Sequence, residues 1–519
     1  MIRSESSNRP RARVERGGHP RAEPGDFGSS KLVSSTAAGL VTISVLAVLL
    51  RIFLLGRQSL WWDEAASAHL AGLNWPHLWD ALWTSGEGNM ALYYAILHVW
   101  TALGGSEFAL RLPSVFFATA TIAVFYVFGA RLSGTRTGLL AALLLAVNVY
   151  HIRYSQEARS YTLLVLLVTL SSMFFVSGIQ RPTQRAWTAY VITTTLAVYA
   201  HFFGVLVLAA HWISTQFIRR RDVPWGAFVK STCVIGALLV PVGIFLFTKD
   251  QGQVDWVSRV GPEAIGRALT SLAGAGPTSD KPAAATLYTL ANVGRRLLLL
   301  LYAGLITLAL TKGVWRETGR ARYERWMYAF LATWLLAPPI LAYIVSMRKP
   351  IFVIRYLIVS LPPLVFLIAD GLSRIQRRAL SVGVLGALVG LAGLQICSYY
   401  SYTKKDDWRS ATAYILARTQ PGDGLMFYPN MAGADPTRAS RAAFEFYRNQ
   451  YTGSSTTPQI HSWNDRQRDR HRRLWLVVAK DDDQRVLLDT SLAAGRYFAE
   501  ERDFSGSLHV LLYTRTGRP

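Results

Sequence analysis

Apolar runs of about twenty residues recur through the first 400 positions of the chain, divided by short polar segments. Twenty residues of α-helix rise about 30 Å, the thickness of a bilayer's hydrocarbon core, so the pattern predicts a multi-pass α-helical membrane protein. The first run, from about Ser35 to Leu55, has no small-residue cleavage pattern and is long for a signal-peptide core, so it predicts a retained anchor. Further crossings are expected in "FALRLPSVFFATATIAVFYVFGA", in "GLLAALLLAVNVYHI", and in the stretch that follows "YSQEARSY", Tyr154 to Tyr161, a segment expected to be exposed on the outer side. The run from Trp187 to Ile218 predicts two short crossings turning near His201. One more pair flanks the long polar loop Thr248 to Lys281, another meets at "SMRKPIFVIRY", and a last span runs from about Leu380 to Cys397. The total is about eleven.

"ALYYAILHVWTALGG", Ala91 to Gly105, falls short of a spanning length and is expected to lie along the outer interface. Just before it, Trp75, Trp79 and Trp83 recur every fourth residue, the stripe of a helix lying in the headgroup belt.

Charge fixes the expected orientation. The chain carries 55 Lys and Arg against 32 Asp and Glu, a net +23, yet only 17% of its residues are charged. The basic residues sit in short clusters between apolar runs, at Arg131 and Arg136, Arg181 and Arg185, Arg219 to Arg221, Lys312 to Arg325, and Arg374 to Arg378. That distribution reads as cytoplasmic loops rather than a nucleic-acid surface. With those loops inside, an even number of crossings must separate neighbouring clusters, and the C-terminus falls outside. Residues 1–34, rich in Arg, Gly, Pro and Ser, read as a disordered cytoplasmic tail, and residues 35–398 as the membrane domain. In residues 399–519, "KKDDWRSATAYILARTQPGDGLMFYPN" reads as helix, turn and strand, "RRLWLVVAKDDDQRVLLDTSLAAGRYF" as strand then helix, and "SLHVLLYTR" as a last strand, which predicts a small extracytoplasmic α/β domain; lacking a glycine-rich phosphate loop, it is assigned no catalytic role. Cys233 and Cys397 form neither a disulfide framework nor a zinc spacing.

This topology gathers the unusual polar groups at the outer face: Asp63 and Glu64, Glu157 with Arg159, His201, Asp255, and Arg348, Lys349, Arg355 and Tyr356. Each has a plain structural alternative. Asp63 can cap the helix beginning at "EAASAHL", Glu157 and Arg159 can pair with each other, and Tyr356 can be an interfacial aromatic. Three basic residues on a short outer loop run against the usual bias, however, and suit an anionic ligand such as a lipid phosphate. The combination fits one chemistry. A sugar esterified to a polyprenyl phosphate already has a good leaving group. What it needs is fixed positive charge for the departing phosphate and a carboxylate base for the acceptor's proton.

The stretches "WWDEAASAHLA", "ALYYAILHVWTALGGSEFALRLPSVFFA", "HIRYSQEARSYTLL" and "RKPIFVIRYLIVSLPPL" resemble the membrane glycosyltransferases of family 39, relatives of protein O-mannosyltransferases and of the lipid A aminoarabinose transferase. The likeness is continuous from Trp61 to about Ile218 and weaker to Pro363. It implies the C-type glycosyltransferase fold, with Asp63 as catalytic base, Glu64 beside it, and Glu157 as a second outer acid. It also implies Arg111 near the acids, Arg159 next to Glu157, and Arg355 and Tyr356 near the donor phosphate. Many relatives carry a basic residue just before the "LYY" helix, where this chain reads "GEGNMALYY"; phosphate contact is therefore assigned to Arg348, Lys349 and Arg355.

The leading expectation is an inverting transfer from a polyprenyl-phosphate-linked sugar to a glycan, lipid or protein acceptor outside a bacterial inner membrane, with no cofactor. Transfer of a whole lipid-linked glycan would call for a divalent metal beside the acids. A lipid-substrate transporter or flippase would call for polar groups along a path through mid-bilayer; Asn148 and Thr193 to Thr195 lie there and are uncharged, and Arg295 and Arg296, which come closest, are expected near the outer end of a span.

Overall fold

The computed structural model describes residues 27–84, 87–248, 257–274, 285–314, 321–402, 405–428, 437–451, 456–461, 471–479, 497–505 and 508–515. Most of the expected tail, Asp255, and the helix expected after the strand near Val477 lie outside them.

The chain opens with α1 (Phe27–Ile52), followed by α2 (Trp62–Gly72), α3 (Trp75–Thr84) and α4 (Ala91–Trp100). Then come α5 (Glu107–Ser133), α6 (Thr135–Ala146), α7 (Val149–Ser155) and α8 (Tyr161–Gln180). Next are α9 (Gln184–Ala200), α10 (Gly204–Ser214), α11 (Trp225–Leu238), α12 (Val240–Thr248) and α13 (Glu263–Ser271). The membrane part closes with α14 (Ala285–Val314), α15 (Ala321–Ser346), a 3-10 stretch Ile354–Ser360 continuing into α16 (Leu361–Ser373), and α17 (Arg378–Tyr402).

Seven segments among the described residues are long and apolar enough to cross a bilayer, and α6–α7 and α11–α12 raise this to nine if each bent pair is one span. The bends are 60° and 47°. α9 and α10 meet at His201–Phe203, where the sequence placed a turn; counting both reaches the expected eleven. α4, at ten residues, is too short to span. α8 and the segment Ile354–Ser373 are the most enclosed spans, whereas α1, α14 and α17 face outward along much of their length. Glycines set the closest approaches. A Cβ on Gly129 would stand 2.9 Å from the Gly138 Cα, so α5 and α6 pack backbone to backbone.

One expectation fails here. "YSQEARSY" is not exposed: every residue from Tyr154 to Tyr161 is buried. Edge-on aromatic contacts carry the turn into the core, with ring centroids 4.8 Å apart for Tyr150–Tyr154 and 4.9 Å for Tyr154–Tyr161.

The C-terminal domain comprises α18 (Trp408–Arg418), β1 (Gly424–Phe427), α19 (Arg438–Arg448), β2 (Gln459–His461), β3 (Arg473–Ala479), β4 (Tyr497–Phe504) and β5 (Leu508–Thr514). Its sheet runs β2-β1-β3-β5-β4, parallel from β2 to β3 and antiparallel from β3 to β4. The pleat sends alternate side chains to two cores: Leu425, Trp475, Val477 and Val510 join the helices, and Met426, Leu474, Leu476 and Leu511 form the far side. β1, β3 and β5 follow the sequence pattern; α19, β2 and β4 add to it.

Candidate active site

The paired acids sit in the first turn of α2, where exposed N–H groups and the helix dipole favour negative charge. Consecutive helical residues point about 100° apart, so the two carboxylates enter different surroundings.

Glu64 turns inward and is fully buried. Its Oε1 accepts from Arg111 Nε at 2.8 Å and from the Ala158 backbone N–H at 2.8 Å. Its Oε2 accepts from Arg111 Nη2 at 2.8 Å, Lys405 Nζ at 2.8 Å and the Trp61 backbone N–H at 3.4 Å. Burial alone would raise this carboxyl's pKa; the Arg111 and Lys405 charges outweigh it and bring it down to about 2. Every acceptor direction is taken. The remaining guanidinium donors of Arg111 go to the carbonyls of Leu55, Gln58 and Ser59, so Glu64 and Arg111 together shape the loop that enters α2.

Asp63 turns the other way, with its side chain about one quarter exposed. Its Oδ2 lies 3.4 Å from Arg355 Nη2 and 4.0 Å from Arg159 Nη2. Arg159 is itself held by Tyr94 Oη at 3.1 Å and Ser67 Oγ at 3.3 Å. Arg355 lies over the rings of Trp61 and Tyr356, 5.8 and 5.4 Å from their centroids. Tyr356 in turn packs against His201, centroids 4.5 Å apart, and against Phe203 at 5.1 Å.

Glu157 occupies the turn between α7 and α8 and is almost wholly buried. Its Oε1 stands 3.8 Å from Arg153 Nε, and burial pushes its carboxyl above the usual range. His201 is also buried; its Nδ1 accepts from the Phe203 N–H at 3.2 Å, which leaves the ring proton on Nε2. Burial, reinforced by the Arg159 and Arg355 charges, lowers its pKa to about 3, so the ring is neutral. Arg348 is exposed and Lys349 half-buried on the turn after α15; the cation that reaches Asp63 from this region is Arg355.

Among the described residues, Trp61 Nε1, Asp63 Oδ2, Glu157 Oε2, Ser160 Oγ, Tyr161 Oη and His201 Nε2 are buried in this neighbourhood without a hydrogen-bond partner. An unsatisfied buried polar group costs about 1–3 kcal/mol, so such a cluster calls for a polar partner, water or a bound ligand. Asp63, Glu64 and Glu157 draw in five cations: Arg111, Arg153, Arg159, Arg355 and Lys405. The surplus is positive and suits an anion.

Sequence reasoning missed Lys405. The signal existed: "TKKDDW" places two lysines just outside the last span, against the usual charge bias. Among the described residues, the three side chains placed to share a metal ion are Glu501, Asp503 and His509 on β4 and β5, none of them a residue of this site.

The fold and the site define a class. The chain matches the whole of ArnT from Cupriavidus metallidurans, solved bound to undecaprenyl phosphate, at 12% identity and TM-score 0.54, over 91% of this chain and 97% of that one. The apo form of the same protein matches at 12% identity and TM-score 0.55, over 92% and 98%. The archaeal oligosaccharyltransferase AglB from Archaeoglobus fulgidus, in complex with an inhibitory peptide and a dolichol-phosphate, matches at 11% identity and TM-score 0.50, over 93% and 74%. This is a multi-pass membrane protein with the C-type glycosyltransferase fold and a small C-terminal sheet domain. Residues 91–248 match the family model described as dolichyl-phosphate-mannose-protein mannosyltransferase, so the family 39 likeness stands. No curated protein matches the chain in sequence.

Proposed function

We propose that this protein transfers a single sugar from a polyprenyl-phosphate donor to an acceptor at the outer face of a bacterial inner membrane, with Asp63 as general base. The carrying observation is the setting of Asp63: a partly accessible carboxylate between Arg355 and Arg159, beside a neighbouring acid that is fully occupied. Two matched structures hold undecaprenyl phosphate and dolichol-phosphate, which supports a lipid-phosphate donor here.

Asp63 takes the proton of the acceptor's hydroxyl or amine as that atom bonds to the anomeric carbon. The bond from that carbon to the phosphate oxygen breaks with its electron pair, inverting the centre and releasing polyprenyl phosphate. Arg355 and Arg159 receive the phosphate charge, and no general acid is needed because phosphate is a weak base. Tyr356 holds Arg355 in place. Glu157 Oε2 and His201 Nε2 offer an acceptor and a donor to the sugar's hydroxyls. Arg348 and Lys349 draw the anionic headgroup towards the site. Glu64 acts in this reading by orienting α2, because Arg111 and Lys405 leave it no room for substrate or metal.

The test is Asp63→Asn, assayed in membrane vesicles with labelled polyprenyl-phosphate sugars. Turnover is expected to fall about 10²–10⁴-fold, as for loss of a general base, with expression and folding retained. Turnover near the wild-type rate would remove Asp63 from the mechanism. Asn148 and Thr194 give the transporter reading no support. Asn148 Nδ2 donates to the Leu272 carbonyl at 3.0 Å, and Thr194 pairs with Ser171 at 2.6 Å, so both serve helix packing.

A further inference from the structure

We infer that Lys405 is a positioning residue for the Asp63 centre, and that the C-terminal domain thereby supplies part of the active site. The inference rests on the reading of Asp63 as base.

Lys405 leads from the last membrane helix, α17, into α18. A lysine there would ordinarily extend into water; this one has a side chain only 12% exposed, with Nζ 2.8 Å from Glu64 Oε2. Nζ also donates to the Gln156 carbonyl at 3.3 Å, beside Glu157. One ammonium therefore joins the first outer acid to the turn that carries the second. Burying an ion pair costs several kcal/mol per ion unless the geometry is good, and the Arg111 fork already balances Glu64. A second cation is not needed for charge. What it adds is a fixed point.

The surrounding contacts hold the same short stretch. The Lys405 backbone N–H donates to Gln58 Oε1 at 3.1 Å. Ser59 Oγ donates to the Asp406 carbonyl at 2.8 Å and accepts from the Trp408 N–H at 3.1 Å. The Leu60 N–H donates to Tyr447 Oη at 2.6 Å, and Tyr447 donates to Glu107 Oε1 at 3.0 Å. Gln58, Ser59 and Leu60 are the residues that aim Trp61, Trp62 and Asp63, and each is gripped by residues that follow α17. The base is thus oriented from two sides, by Arg111 in the membrane domain and by Lys405 with its neighbours. A displacement of about 1 Å in a reacting group costs roughly 10²-fold in rate, so loss of one side should be visible.

The experiment compares Lys405→Met and Lys405→Arg in the full chain, measuring turnover, undecaprenyl phosphate affinity and the melting profile. Lys405→Met is expected to lower kcat about 20- to 100-fold while undecaprenyl phosphate affinity stays within about threefold, and Lys405→Arg is expected to restore kcat to within about fivefold. The inference is overturned if Lys405→Met turns over within about twofold of wild type, or if its loss merely follows a loss of folded protein. Asp63→Asn run alongside separates the two claims. An inactive Asp63→Asn with an unimpaired Lys405→Met sinks the positioning role alone, whereas an active Asp63→Asn sinks the base.

Discussion

Replacing Glu64 with Gln tests the centre of the site. The amide keeps the volume and one acceptor oxygen but removes the charge, and it turns an NH₂ group towards donors. Those donors belong to Arg111, Lys405, Ala158 and Trp61, so whichever way the amide lies, one face meets N–H groups it cannot accept from. The magnitude follows from the depressed pKa. The folded carboxyl lies at about 2 against 4.5 for an ordinary glutamate; at 1.36 kcal/mol per unit this corresponds to about 3 kcal/mol. Loss of one partner from a buried ion pair typically costs about 3–5 kcal/mol, the same range. The sign is fixed by the direction. A depressed acid stabilises the fold fully above about pH 4.5, and the contribution drains away as the pH falls towards 2. Wild type and Glu64→Gln are therefore expected to differ by about 3–5 kcal/mol at pH 7, with the gap narrowing progressively below about pH 4.5 and closing towards pH 2. Denaturation by SDS in mixed micelles, followed by tryptophan fluorescence across pH 3–8, measures the gap. A difference below about 1 kcal/mol at neutral pH, or one that does not change with pH, would refute the assignment.

Two other expectations follow from the geometry. His201 is held neutral with its pKa near 3, so His201→Gln should weaken turnover without altering the shape of the pH–rate profile between pH 5 and 8; removal of a limb near pH 6–7 would contradict this. Gly371 on α16 lies against the Leu305 backbone of α14 with no space for a Cβ, so Gly371→Ala should cost about 1–3 kcal/mol and reduce the folded yield in detergent, and a normal melting profile would count against that packing.

Hydropathy is a local property, and it carried the sequence reading a long way. The spans α5, α8, α15 and α17, the short α4, and the break at His201 all follow from the length and composition of single segments. Strand alternation did the same for β1, β3 and β5. β2 was missed for a physical reason: three residues are too few to show an alternation, so it is fixed by its pairing with β1, whereas α19 carries an amphipathic pattern that was legible over eleven residues and was not read. The burial of "YSQEARSY" was missed because Gln156 and Arg159 find their partners far away in the chain, at Arg51, Phe53, Ser67 and Tyr94, which composition cannot register.

The chain alone determined that Asp63 and Glu64 stand at the mouth of a membrane segment, and which distant residues were candidates to meet them. It could not tell the two acids apart. One helical step of rotation sends Glu64 into a dry pocket closed by Arg111 and Lys405 and leaves Asp63 facing Arg355. The closing lysine comes from 341 positions further along the chain. Long-range electrostatics depend on distance in space, and spacing in sequence holds no record of it; only the folded chain decided which carboxylate is closed in by its partners and which stays accessible.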